Sequence, residues 1–165
     1  MKRFIASLAL LFFLSPIAVA TGQTEPDDHE RLQKVLGWLE GTWEDAEGPR
    51  VFKWELRGQV MTWTPQDPDA AKAIFYWDRA DKKVKAICFS ADGWHISGVL
   101  DSSTERQITL SIVNVLPSGK KVDSSLTYAL KDADTMFVQA KSKSGDDTDR
   151  AALDRQWTLK RVRKP

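Results

Sequence analysis

From Gly41 onward the apolar side chains recur at every second position, in short segments divided by turn residues. That period belongs to strands, and short spacing makes them hairpin partners. The segments run 42–46, 50–57, 59–64, 72–78, 83–90, 94–101, 106–115, 121–130, 135–141 and 155–163. Between them lie Arg57-Gly58, Arg79-Ala80-Asp81-Lys82, Asp92-Gly93, Pro117-Ser118-Gly119 and Lys131-Asp132-Ala133-Asp134, all turn chemistry. Consecutive hairpins leave unpaired edges unless the sheet closes or packs on a second one, so the pattern argues for an antiparallel barrel or sandwich.

One helix precedes the strands. Asp27 followed by Glu30 resembles a capping box, and Leu32, Val35, Leu36 and Leu39 recur at helical spacing. The expected helix covers about residues 28–39, with Gly41 as its stop. The polar stretch from Ser142 to Asp154 reads as a loop.

Turn length fixes which side chains share a face. With Arg57-Gly58 as a two-residue turn, Trp54 faces Met61 and Phe52 faces Trp63, while Glu55 with Val60 and Lys53 with Thr62 take the other side. A four-residue turn at 79–82 sets Trp77 opposite Val84, Phe75 opposite Ala86 and Asp78 opposite Lys83. At Asp92-Gly93 two registers compete. A two-residue turn puts Cys88 and His95 on one face as diagonal neighbours; a three-residue Ala91-Asp92-Gly93 turn moves His95 to the opposite face and brings Ile96 against Cys88.

The first twenty residues have a different grammar. Lys2 and Arg3 are followed by an apolar run from Ile5 to Leu14, then Pro16 and the small-residue site Ala18-Val19-Ala20. This is the layout of a secretory signal, and its run of about ten residues falls short of the roughly 20 that span a bilayer. The expected organisation is a signal peptide over 1–20 and one barrel domain over 21–165, exported to the periplasm or secreted, with no membrane-spanning segment after cleavage. No cysteine follows the cut, which argues against a lipid anchor. Cleavage removes Lys2 and Arg3 from 24 basic residues set against 23 acidic ones, leaving a balance of −1. A chain so nearly neutral has no electrostatic case for nucleic acid. Its one cysteine, Cys88, can form no internal disulfide, so packing must hold the fold, and seven tryptophans supply large area for it.

The sequence Leu39-Glu40-Gly41-Thr42-Trp43 directly after a helix, the hairpins behind it, and a closing segment with Trp157 and Lys160-Arg161 resemble the lipocalin-like (calycin-type) barrels. More closely, the chain is similar to small exported bacterial lipocalin-like proteins of unknown function. The resemblance implies an all-β fold, an antiparallel up-and-down β-barrel of about eight to ten strands preceded by one short N-terminal helix. It also implies that Trp43 plugs one end under Lys160 or Arg161, a cation–π contact of order 1 kcal/mol. The chain departs from full-length lipocalins in lacking paired cysteines and a long C-terminal helix. Haem-binding relatives take a histidine from near the C-terminus, and none follows His95 here.

Function is expected in the interior. Phe52, Trp54, Met61, Trp63, Phe75 and Trp77 converge on one face, and their small partners Ala86, Cys88 and Ser90 leave room beside them. A cavity walled by Trp54, Trp63 and Trp77 and floored toward Ala86 follows. The leading expectation is an exported binding protein for a small apolar or aromatic molecule. The alternative is a structural or interaction protein of the envelope with a filled core; a barrel-cavity enzyme using His95 as acid or base ranks third. No cofactor and no metal are expected. Asp146-Asp147-Thr148-Asp149 lacks the glycine and distal glutamate of a calcium loop, and there is no glycine-rich phosphate loop, Gly-x-Ser-x-Gly elbow or His-Glu-x-x-His. No motif fixes an oligomeric state. Mass measurement of the exported protein should give a chain beginning at Thr21; an intact Met1 would overturn the export reading.

Overall fold

The computed structural model describes residues 27–163. The segment 1–20 assigned to export lies outside the described residues.

The helix α1 spans Asp28–Leu36. Asp27 caps it, its carboxylate accepting the Glu30 N–H at 2.8 Å, and Asp28 and Glu30 put negative charge in the first turn, where the helix dipole favours it. The helix expected to reach 39 changes character at Gly37, a poor α-helix former, and Gly37–Leu39 tightens into a 3-10 turn. Leu32, Leu36 and Leu39 are fully buried, each contributing about 1.5–3 kcal/mol by leaving water.

Ten strands follow: β1 Gly41–Asp45, β2 Gly48–Glu55, β3 Val60–Thr64, β4 Ala71–Asp78, β5 Lys83–Ser90, β6 His95–Thr104, β7 Gln107–Val115, β8 Lys121–Asp132, β9 Thr135–Ser142 and β10 Arg155–Arg161. Each pairs antiparallel with its chain neighbours, and β10 returns to pair with β1, so one sheet closes on itself as a barrel and the sandwich is excluded. No strand edge is left open.

The hairpin registers set the interior. Across β2 and β3, Phe52 faces Trp63 and Trp54 faces Met61, as the two-residue turn requires. Its tip is a tight 3-10 turn in which Leu56 and Arg57 take positive φ, a conformation costing L-residues roughly 1–2 kcal/mol each. The His29 ring bonds the Gly58 carbonyl at 2.9 Å and holds the tip. Gly58 itself has φ +86°, and a side chain there would collide with that ring. Across β4 and β5, Trp77 faces Val84, Phe75 faces Ala86 and Asp78 faces Lys83. The Asp78 ion pair, however, is with Lys85 at 2.7 Å, one step further along the outer face.

The stretch 142–154 contains more than a loop. Residues Asp147–Leu153 form the short helix α2, started by a capping box in which Asp146 and Asp149 bond each other's backbone N–H. The acidic run is therefore helix-starting chemistry, tied down by Lys120 at 2.8 and 2.5 Å from the two carboxylates.

The two barrel ends differ. α1 packs on β3 and β4 and reaches both adjacent tips, through His29 to Gly58 and through Asp28 to Arg79 at 2.6 Å. It closes that end with its leucines. The opposite end carries the β1–β2, β5–β6 and β7–β8 turns. Trp43 is fully buried beneath the closed end, its indole N–H donating to the Leu39 carbonyl at 2.8 Å. The Arg161 guanidinium lies 4.1 Å from the Trp43 ring centre and donates to the carbonyls of Glu40 and Trp38. Lys160 points to the other face of β10 and donates to the Thr135 hydroxyl at 2.6 Å, so Arg161 alone covers the ring. Trp43→Ala is expected to lower stability by about 3–5 kcal/mol in urea unfolding; a loss under about 0.5 kcal/mol, the range of surface changes, would refute its role as plug.

Candidate functional site

The six residues proposed to line a site all face inward but play different parts. Phe52, Met61 and Phe75 are no more than 2 % exposed and fill the barrel centre, with the Phe52 and Phe75 rings 6.5 Å apart. Trp54 and Trp77 lie at the helix end. The His29 ring meets Trp54 edge-on at 5.4 Å, and the Arg31 guanidinium sits 5.0 Å from the Trp77 ring. Trp63 is separate from both groups. It belongs to a ladder row that runs Phe52, Trp63, Ala73, Cys88, Ile96 across β2 to β6, toward the end opposite α1. Trp63 and Ile96 are half-buried, and two small side chains, Ala73 and Cys88, lie between them.

Tyr128 stands on the facing wall. It projects inward from β8, its ring perpendicular to that of Phe52 at a centroid distance of 6.0 Å. The residue is 8 % exposed, and its hydroxyl makes no hydrogen bond to any described residue. Arg50 occupies the inward face of β2, directly across the ladder from Trp43. Its guanidinium is held by Asp45 at 2.5 Å and Glu47 at 2.8 Å. A second interior polar pair, Asn114 and Ser124, is self-contained: the Asn114 amide donates to the Ser124 hydroxyl at 2.9 Å and to the Val122 carbonyl at 3.2 Å.

The β5–β6 turn separates Cys88 from His95. It is the three-residue form, Ala91 to Gly93, closed by the Ser90 N–H on the Trp94 carbonyl, with Gly93 at φ +89°. Cys88 therefore faces Ile96, while His95 lies outside and stacks on Phe89, which is 59 % exposed. No base reaches the thiol, and burial pushes Cys88 up to about 11. The same cause raises Tyr128 from its ordinary 10.0. Both groups are neutral at physiological pH.

Two depressions of about 340 and 360 Å³ lie elsewhere. One is lined by Gln139–Lys141 and Asp154–Gln156, the other by Ser111–Val113, Asp123, Ser124, Lys143 and Ser144. Neither includes any of the six aromatic-cluster residues. Among the described residues no group of His, Cys, Asp and Glu is placed to hold a metal ion, and no helix is long and apolar enough to cross a membrane.

Alternation placed the aromatics, but Arg50 and Asn114 escaped sequence reading. Arg50 lies two residues before Phe52 and Asn114 two after Ile112, so the same period-two count puts both inside. Their polarity, not their position, hid them.

Cys88 supplies a test. Its raised pKa favours the folded state's protonated form, so the stability it contributes is full below about pH 9, the unfolded thiol's value, and drains as pH rises toward 11. The urea midpoint should fall across that window, and Cys88→Ala should flatten the fall. A thiol reagent at neutral pH should label the native protein slowly and the unfolded protein at once; equal rates would place the thiol outside the barrel.

The chain matches no known protein family, and no curated protein is detectably similar to it, so what the barrel does has to be argued from its own geometry.

Proposed function

We propose that this protein is an exported, lipocalin-like binding protein that takes a small apolar or aromatic molecule at the barrel end opposite α1. One observation carries the reading: Trp63 faces inward yet stays half-buried, beside the small side chains of Ala73 and Cys88, toward the end opposite α1. A large ring beside small neighbours is a surface left for a guest, since a packed interior would set a large side chain there. The lipocalin-like assignment is supported by the N-terminal helix, the closed antiparallel barrel and the Trp43–Arg161 stack. Export is supported by the charged, apolar and small-residue succession of residues 1–20.

A second reading keeps support of its own. Phe52, Met61 and Phe75 occupy the centre with almost no exposure, as a filled structural barrel of the envelope would have them. The two readings part in one titration. Under the binding reading, 2-methylnaphthalene shifts tryptophan emission saturably, and Trp63→Ala weakens the effect at least severalfold while Trp54→Phe, at the helix end, leaves it. Emission that does not move with any apolar probe leaves the filled-barrel reading standing.

A further inference from the structure

The binding reading does not by itself say what polar chemistry the guest carries, and the barrel interior is specific about that. Tyr128 is more than nine-tenths buried, yet its hydroxyl has no hydrogen-bond partner among the described residues. A buried hydroxyl left unpaired is costly, and native proteins rarely keep one without a reason. Only three side-chain polar atoms among the described residues are both sealed from solvent and unpartnered: the indole nitrogens of Trp38 and Trp54, and the Ser142 hydroxyl. The Tyr128 hydroxyl is not one of them, so it borders accessible space. The Tyr128 ring meets that of Phe52, whose neighbours on the inner face are Arg50, two residues along β2, and Trp63, Ala73 and Cys88 along the ladder row.

The charges around that hydroxyl select the guest. Arg50 would attract an anion, but two carboxylates, Asp45 and Glu47, already hold its guanidinium and leave the group of three with a net negative charge. Cys88 has no base beside it and offers a neutral thiol. A carboxylate entering here would be desolvated without gaining a free cation, a loss that ion pairing does not make good. A neutral oxygen would lose far less and would gain the tyrosine's donated bond.

Resting on the binding reading above, we propose that Tyr128, set across the barrel from Trp63 and Cys88, is the hydrogen-bond donor of the ligand site. The ligand is then a neutral aromatic or apolar molecule bearing an acceptor oxygen, of the ketone, quinone or ester class, and is not a carboxylic acid. The ring of the guest lies against Trp63, Ala73 and Cys88, and its oxygen accepts the Tyr128 O–H.

Three matched probes test this on the mature chain by tryptophan fluorescence at pH 7.5: 2-acetylnaphthalene, 2-naphthoate and 2-methylnaphthalene. The ketone should bind about tenfold tighter than the hydrocarbon, the worth of one buried hydrogen bond, and tighter still than the carboxylate. Tyr128→Phe should abolish the ketone's advantage and leave the hydrocarbon's affinity unchanged, an outcome that a merely structural Tyr128 would not give. Naphthoate binding as tightly as the ketone would overturn the selection for neutral guests. Ketone and hydrocarbon binding alike to the unaltered chain would overturn the donor role while the binding function stands. No response to any of the three would overturn both. The comparison of probes on the unaltered chain needs no variant to fold.

Discussion

Everything in this structure depends on β10 finding β1. The other strand pairs join strands consecutive in the chain, but Trp43 on β1 and Arg161 on β10 meet across the whole of the barrel's sequence. The closure is secured by more than ladder bonds. Arg161 lies over the Trp43 ring, donates to two carbonyls at the end of the helical segment, and donates its backbone N–H to the Asp134 carbonyl. One side chain thus joins the last strand, the first strand, the turn after α1 and the β8–β9 tip. Without that seam the sheet has two free edges, and the leucines of α1 have no closed end to cover.

The seam also explains why the two ends of the barrel differ. α1 is fixed to the end where Trp43 lies, because only Gly37–Leu39 and Glu40 separate it from β1. Its polar contacts to Gly58 and Arg79 fasten it to the tips of the two hairpins rich in aromatics. The interior polar groups Cys88, Asn114 and Ser124 lie toward the other end of their strands. An apolar cap at one end and scattered polar groups beyond it give the interior a direction, dry toward the helix and increasingly polar toward the mouth.

Much of this was legible in the sequence, and the exceptions have physical causes. All ten strands and two hairpin registers follow from alternation and turn length, because a one-residue slip would have put Phe52 and Trp54 in water. The β5–β6 register stayed open because Asp92-Gly93 fits either a two- or a three-residue turn, and inward Cys88 and Ser90 are too small to force the choice. Asp78 stands opposite Lys83 as the turn length requires, but its ion pair goes to Lys85, because lysine reach, unlike ladder register, is not periodic. α2 was read as loop since its seven residues offer few apolar positions, so its capping box, not a hydrophobic stripe, defines it. The site was legible as a set of inward aromatics, but which of them α1 covers depends on packing between elements distant in sequence.

The seam has a further consequence for how the chain reaches its fold. β1 is complete after 45 residues, but its second partner is the last strand of the sequence. A chain produced from its N-terminus therefore holds a growing, open-edged sheet until the final residues appear. During that interval the exposed edges of β1 and of the newest strand are templates for pairing with other chains. Non-local closure of this kind is slow, because the loop entropy must be met before the contacts that reward it form. The short five-residue length of β1 keeps that waiting edge small. Losing even the last strand would leave a molecule with most of its core and both edges permanently open, prone to self-association and not merely less stable.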